Sequence, residues 1–236
     1  MRVPFVSARC ALMLILLTAL TTREAKAQIA PPGPPGPYAI DLRGSMVGIP
    51  QSADFYPTVP SGTIVPARGF GLDAGAHVYL FRLGPSRVGV GGDFTVIRAT
   101  AVSGTTSSSP SSSSSSSSGS SSTTSIPVTT NIKATARLLT PQLSFNFGTE
   151  RGWSYLSVGV GTAQIQTTVS DTTDSRERSV DSGSLRAINF GGGARWFPRS
   201  HLGVGFDLRF HKLAAGSRVD TPSATLFAAA AGLTIR

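Results

Sequence analysis

In Leu202-Gly203-Val204-Gly205-Phe206-Asp207-Leu208-Arg209-Phe210-His211 every second side chain is large and apolar, and Gly, Asp, Arg and His stand between. A period of two belongs to a strand, whose successive side chains point to opposite faces. The same alternation predicts eight strands, at residues 38–49, 69–82, 88–100, 133–147, 153–168, 184–197, 202–213 and 224–236. One face of each carries Leu, Val, Ile, Phe or Ala. The other is rich in Gly, Ser and Thr, and in five strands it holds Asp, Arg or His: Asp41, Arg43, Asp73, His77, Asp93, Arg195, Asp207, Arg209 and His211. Pro141 interrupts the fourth strand, where a proline is expected to mark a bulge.

The connections alternate. Those at 84–86, 148–152 and 198–200 are short and turn-like, whereas those at 50–68, 101–131, 171–183 and 214–222 are longer. An even strand count with this rhythm predicts an all-β fold, an eight-stranded antiparallel up-and-down transmembrane β-barrel. Short turns lie on the periplasmic side of such barrels and longer loops outside. Aromatics gather at the short-turn ends: Tyr38, Tyr79, Phe81, Phe145, Phe147, Trp153, Tyr155, Trp196 and Phe197. Of these, Tyr38, Trp153, Tyr155, Trp196 and Phe197 are read as interfacial, because an amphipathic ring favours the headgroup region. The opposite choice of faces, apolar inward, describes a soluble periplasmic ligand-binding barrel of lipocalin type. The small residues on the polar face suit a crowded interior better than a solvated surface.

Composition adds an address. Arg2 and Arg9 precede the apolar run 11–20, and Ala25-Lys26-Ala27 has the form of a cleavage site, so residues 1–27 read as a secretory signal peptide. Its removal leaves 17 Lys/Arg against 11 Asp/Glu, a net charge of +6. The basic residues are scattered singly along the sequence, which argues against nucleic acid as a partner. Cys10, the one cysteine, lies within the leader, so no disulfide or thiolate chemistry is expected of the mature chain. Residues 28–37 are a Pro/Gly-rich leader, stiff and extended. Residues 103–125 are Ser-rich, too polar to offset chain entropy, and read as a disordered external loop.

Pro141-Gln142-Leu143-Ser144-Phe145-Asn146-Phe147-Gly148 and Gly191-Gly192-Gly193-Ala194-Arg195-Trp196-Phe197 belong to this alternation. With the leader and the eight strands, residues 38–236 resemble the outer-membrane-protein beta-barrel domain family, the small eight-stranded OmpA/OmpX-type barrels. The resemblance implies the bacterial outer membrane as location, its lipid as partner, and the barrel-assembly machinery as a transient partner. Such barrels usually end in an aromatic residue, whereas this sequence ends Thr234-Ile235-Arg236. No extracellular partner is specified by the sequence.

The nine charged and histidine residues of the polar faces are expected to form a paired network filling a lumen only wide enough for side chains, with a narrow pore as the sharper alternative. Catalysis is the other alternative, since some small outer-membrane barrels modify lipid A with His and Ser. Here His201 falls in a short turn, and His211 stands four residues from Asp207, about 13 Å along a strand. Neither a Gly-x-Ser-x-Gly elbow nor a His-Glu-x-x-His motif occurs. The Gly-rich runs at 89–92 and 191–193 lie within strands with no helix to receive a phosphate. No cofactor or metal is expected, and the reading is a non-enzymatic envelope barrel.

Overall fold

The computed structural model describes residues 36–51, 55–56, 59, 63–108, 125–171, 177–216 and 222–236. The signal peptide, residues 28–35 of the Pro/Gly leader and residues 109–124 of the Ser-rich segment lie outside them. Eight antiparallel strands close into one barrel, each paired with its neighbours in the chain, and β1 with β8. They are β1 (Tyr38–Gly48), β2 (Arg68–Leu83), β3 (Ser86–Ser108), β4 (Ser125–Thr149), β5 (Gly152–Asp171), β6 (Glu177–Trp196), β7 (Leu202–Leu213) and β8 (Ala224–Ile235).

The pairing fixes the stagger. Stepping from partner to partner, Tyr38 leads to Val78, Val90, Leu143, Val158, Phe190, Phe210 and Phe227, then back to β1 at Gly48, ten residues beyond Tyr38. Eight strands with that stagger tilt by about 40° and leave an interior that side chains fill. The climb also sets heights. On each successive strand the residue at the same level lies about one and a quarter positions nearer the short-turn end than the ladder partner.

The apolar faces point outward. Leu42, Phe70, Leu72, Leu156 and Leu233 are more than half uncovered, while Asp41, Arg43, Asp93, Arg195 and Arg209 are at most 2% exposed. This contradicts the soluble-barrel alternative, which required the reverse. From Leu80 to Phe70 the outward apolar stretch of β2 spans ten residue steps, a height of about 25 Å at that tilt.

Three expectations are corrected. The ladder of β3 and β4 continues to Ser108 and Ser125, so strand covers residues assigned to the Ser-rich loop. Likewise β5 and β6 reach Asp171 and Glu177. Above the apolar band a strand no longer needs apolar side chains, and polar residues pair as well. Pro141 marks no bulge. Between β4 and β5 the pairing skips Thr140 and Pro141, but Leu139↔Thr162 and Gln142↔Gly159 keep one register. The missing proline N–H thus removes a rung without shifting the strands. The bulges lie instead at Tyr79/Phe81 and Gln164/Gln166. The first reverses the face of Phe81, which the alternation assigns inward and which is 66% exposed. Gly84 opens the β2–β3 turn at φ 59°, a conformation that an L side chain rarely adopts.

Leu208, midway up the band on β7, tests the outward assignment. Leu208→Arg is expected to destabilise the barrel in lipid vesicles by about 2–4 kcal/mol, and Thr162→Arg at the upper edge by about 0–1 kcal/mol. Urea unfolding followed by tryptophan fluorescence reads both.

Candidate functional site: a layered barrel interior

The nine charged and histidine residues of the alternating faces all point inward and are buried. Period two brings them there, and the stagger decides which meet. Asp41 on β1 receives a two-pronged contact from Arg195 on β6, Nε to Oδ1 at 2.9 Å and Nη2 to Oδ2 at 2.6 Å. Arg43 Nη2 lies 2.6 Å from the same Oδ2, a charge contact without hydrogen-bond alignment. Its Nη1 donates to Asp73 Oδ1 at 3.1 Å, and Thr95 donates to the other oxygen of Asp73 at 2.7 Å. Arg209 clasps Asp207 through Nε and Nη2 at 3.0 and 2.9 Å. Its Nη1 reaches Gln142 Oε1 at 2.6 Å and Asp93 at 3.2 Å. Gln142 in turn donates to Asp93.

Burying an ion in a low-dielectric interior is costly unless it is paired and hydrogen-bonded. Three arginines face four aspartates here, linked across β1, β2, β3, β4, β6 and β7. The histidines stand apart from these clasps. Neither ring nitrogen of His77, nor Nδ1 of His211, has a hydrogen-bond partner among the described residues. Exposed His201 sits at the short-turn end, with Nδ1 3.2 Å from the Arg236 carbonyl. No cluster of three metal-ligating side chains occurs among the described residues.

Other neutral partners complete the layer, and the sequence marks two of them, Tyr155 and Tyr79, only as aromatics of the short-turn ends. Tyr155 donates to Asp207 at 2.5 Å, and its ring lies 4.0 Å beneath the Arg195 guanidinium. Tyr79 OH is 3.4 Å from Arg195 Nη1, and Asn189 donates to Thr140 at 2.6 Å. Gly193 makes room for this. A Cβ there would meet the Phe206 carbonyl and would stand 2.9 Å from the Tyr155 hydroxyl.

The interfacial aromatics divide. Tyr38 and Trp196 point outward, 41% and 51% exposed, at the short-turn end. Trp153, Tyr155 and Phe197 do not face the headgroups; they are 2%, 1% and 6% exposed, inside the barrel. Parity is the reason. Leu156 and Trp196 point out, so residues at odd steps from them point in. Trp153 stacks on Phe197 at 4.6 Å and meets Tyr79 edge-on at 6.1 Å; with Ala39 they floor the interior.

The opposite end is apolar. Val47, Ile97, Leu138, Ile165, Leu185, Leu213 and Leu226 form one cluster with Phe55 and Tyr56 from the β1–β2 connection. That connection is tied down by Tyr56 OH to the Pro66 carbonyl at 3.3 Å, Ile49 N to the Ala67 carbonyl at 2.9 Å, and Ile64 N to Ser103 Oγ at 3.2 Å. The interior is therefore stratified: aromatic floor, charged middle, apolar stopper. Burial pushes the Tyr56 phenol up to about 12.

No family model matches the chain, and no curated protein matches it. Solved structures do. Neisserial surface protein A (NspA) superposes with a TM-score of 0.50 at 12% identity, over 85% of this chain and 97% of that one. The outer membrane protease OmpT from Escherichia coli gives 0.44 at 10%, over 88% and 99%. Ail, the attachment invasion locus protein of Yersinia pestis, gives 0.41 at 14%, over 84% and 95%.

Two measurements probe the layers. Asp41→Ala leaves Arg195 and Arg43 without their shared carboxylate, and is expected to cost about 3–5 kcal/mol in reversible unfolding. For Tyr56 the folded pKa lies above the unfolded value near 10, so the seated neutral phenol contributes stability below about pH 10 that is lost as pH rises through about 12. The fall in urea midpoint across that window is expected to shrink in Tyr56→Phe.

Proposed function

We propose, from a fold shared with the small eight-stranded outer-membrane barrels, that the chain is a closed, non-enzymatic outer-membrane protein. Its signal peptide sends it across the inner membrane, and the barrel-assembly machinery inserts it. It anchors in outer-membrane lipid with the short turns toward the periplasm and the longer connections outside. The observation that carries this reading is the outward apolar band around a filled interior. A band about 25 Å tall matches the hydrocarbon thickness that such barrels cross. Tyr38 and Trp196 lie at its lower edge, where amphipathic rings favour the headgroups.

The filled interior supports a closed barrel over a pore. An ion entering the charged middle must first pass either the Tyr79–Trp153–Phe197 floor or the apolar stopper. Those same layers argue against lipid modification by the interior histidines, since His77 and His211 are only 2% and 1% exposed. What the protein offers to the outside is its extended β3–β6 wall, whose outward positions Thr100, Lys133, Gln166 and Ser170 are polar. A structural or surface-interaction role follows, in keeping with the name of NspA, a surface protein.

Fractionation and planar-bilayer recording test this together. The protein is expected in the outer-membrane fraction, with electrophoretic mobility that changes on boiling, and to add no discrete conductance steps to a bilayer. Recovery in the soluble periplasm without detergent contradicts the membrane reading, whereas sustained channel openings contradict the closed one.

A further inference from the structure

The outward face carries a second pattern, of charge. Where the apolar band gives way toward the longer connections, Arg68 on β2, Arg98 on β3, Arg137 on β4, Arg186 on β6 and Lys212 on β7 all point outward and are exposed. Their positions in the sequence look unrelated. Corrected for the ten-residue climb, they fall at one level, within about two residue steps of each other. The other three strands show Gly48, Thr162 and Thr225 there, and no carboxylate.

Register places these cations as neighbours. Arg98 pairs with Phe70, two residues from Arg68, and Arg137 pairs with Val96, two residues from Arg98. Lys212 pairs with Ile188, two residues from Arg186. Diagonal positions on one face lie about 7–8 Å apart, a repulsive spacing for like charges. None of the five makes an ion pair or side-chain hydrogen bond among the described residues. The carboxylate of Asp181, above them, is bound to Gln164 Nε2 and Gly183 N at 2.7 Å each. So among the described residues the collar has no counter-charge.

Apolar grooves run down from it. One of about 590 Å3 descends from Arg98 between Phe70, Leu72, Phe94 and Leu42. Another, of about 380 Å3, passes Arg137 on its way from Gln164, Gly183 and Ser184 down to Leu139 and Phe94. A guanidinium above a groove of Leu and Phe matches a phosphate above an acyl chain. Guanidinium forks bind phosphate in two-pronged fashion, and each cation near a charged lipid surface adds attraction.

We propose that this collar binds phosphate-bearing, multiply acylated glycolipid of the outer leaflet, with phosphates on Arg68, Arg98 and Arg137 and acyl chains in the adjoining grooves. The proposal rests on the orientation given above, longer connections outward. Spacing favours a lipid with two phosphates, because neighbouring guanidinia then share one ligand.

Native mass spectrometry of the full-length mature protein in neutral detergent tests it, with three probes: a bisphosphorylated acylated disaccharide, its dephosphorylated form, and inorganic phosphate as competitor. The folded barrel is expected to retain the phosphorylated lipid and not the dephosphorylated one, with no displacement by inorganic phosphate. R68Q/R98Q/R137Q is expected to weaken retention about tenfold or more, and R68K/R98K/R137K to recover only part of it, because lysine keeps the charge and loses the fork. R98Q alone supplies the smaller step should the triple variant fold poorly. Equal retention of both lipids, or undiminished retention by R98Q and by a folded triple variant, overturns the proposal. Displacement by inorganic phosphate overturns its lipid assignment in favour of a free-anion site. Mobility that changes on boiling, measured on the same samples, keeps failure of the collar distinct from failure of the barrel.

Discussion

Closure of eight strands with a ten-residue stagger is the constraint on which the rest depends. It abolishes sheet edges, so every strand has two partners. It also fixes a lumen about as wide as two opposed side chains, with no room for a free-standing charge. Every inward group must then be packed or paired. Asp41, shared by Arg195 and Arg43, and Arg209, held between Asp207, Asp93 and Gln142, are the outcome. The Arg209–Asp207 clasp lies within β7, but Arg195 reaches from β6 to Asp41 on β1 and Arg209 from β7 to Asp93 on β3, so the charged layer also cross-links strands far apart in sequence.

The same stagger organises both ends. Above the ions the inward positions turn apolar, and Phe55 and Tyr56 of the first long connection join them. Below, Trp153, Phe197 and Tyr79 close the other end. A buried ion layer between two apolar layers is kept from water, which strengthens its pairing and raises the cost of breaking it. The interior glycines serve this packing. Gly193 admits the Tyr155 hydroxyl to Asp207, a contact that no bulkier residue at that position would leave open.

Much of this was legible in the sequence because a strand has a period of two. Strand number and the order of short and long connections follow from alternation, and the small residues that share the polar face add the inward direction of Asp41, Asp73, Asp93, Asp207 and their arginines. What alternation omits is height and partner. Trp153, Tyr155 and Phe197 were read from their closeness to strand ends, whereas their parity with Ser157 and Arg195 already directed them inward. The polar upper reaches of β3 to β6 read as loop because Ser and Thr runs carry no apolar signal, yet the ladder continues through them. Phe81 needed the bulge at Tyr79/Phe81, which no local residue pattern marks. The cations at 68, 98, 137, 186 and 212 look scattered until the stagger brings them to one level.

The central claim is that the face of each strand decides its solvent: lipid for one, a dry packed interior for the other. Single-cysteine spin labels at residues 203–210 of β7, in protein reconstituted into lipid vesicles, read this most directly through collisions with oxygen and with a water-soluble nickel complex. The account predicts a period of two, with oxygen reaching labels at Val204, Phe206, Leu208 and Phe210 while labels at Gly205, Asp207 and Arg209 are shielded from both reagents. Ready access of the nickel complex to the inward positions, or loss of the alternation, would contradict it.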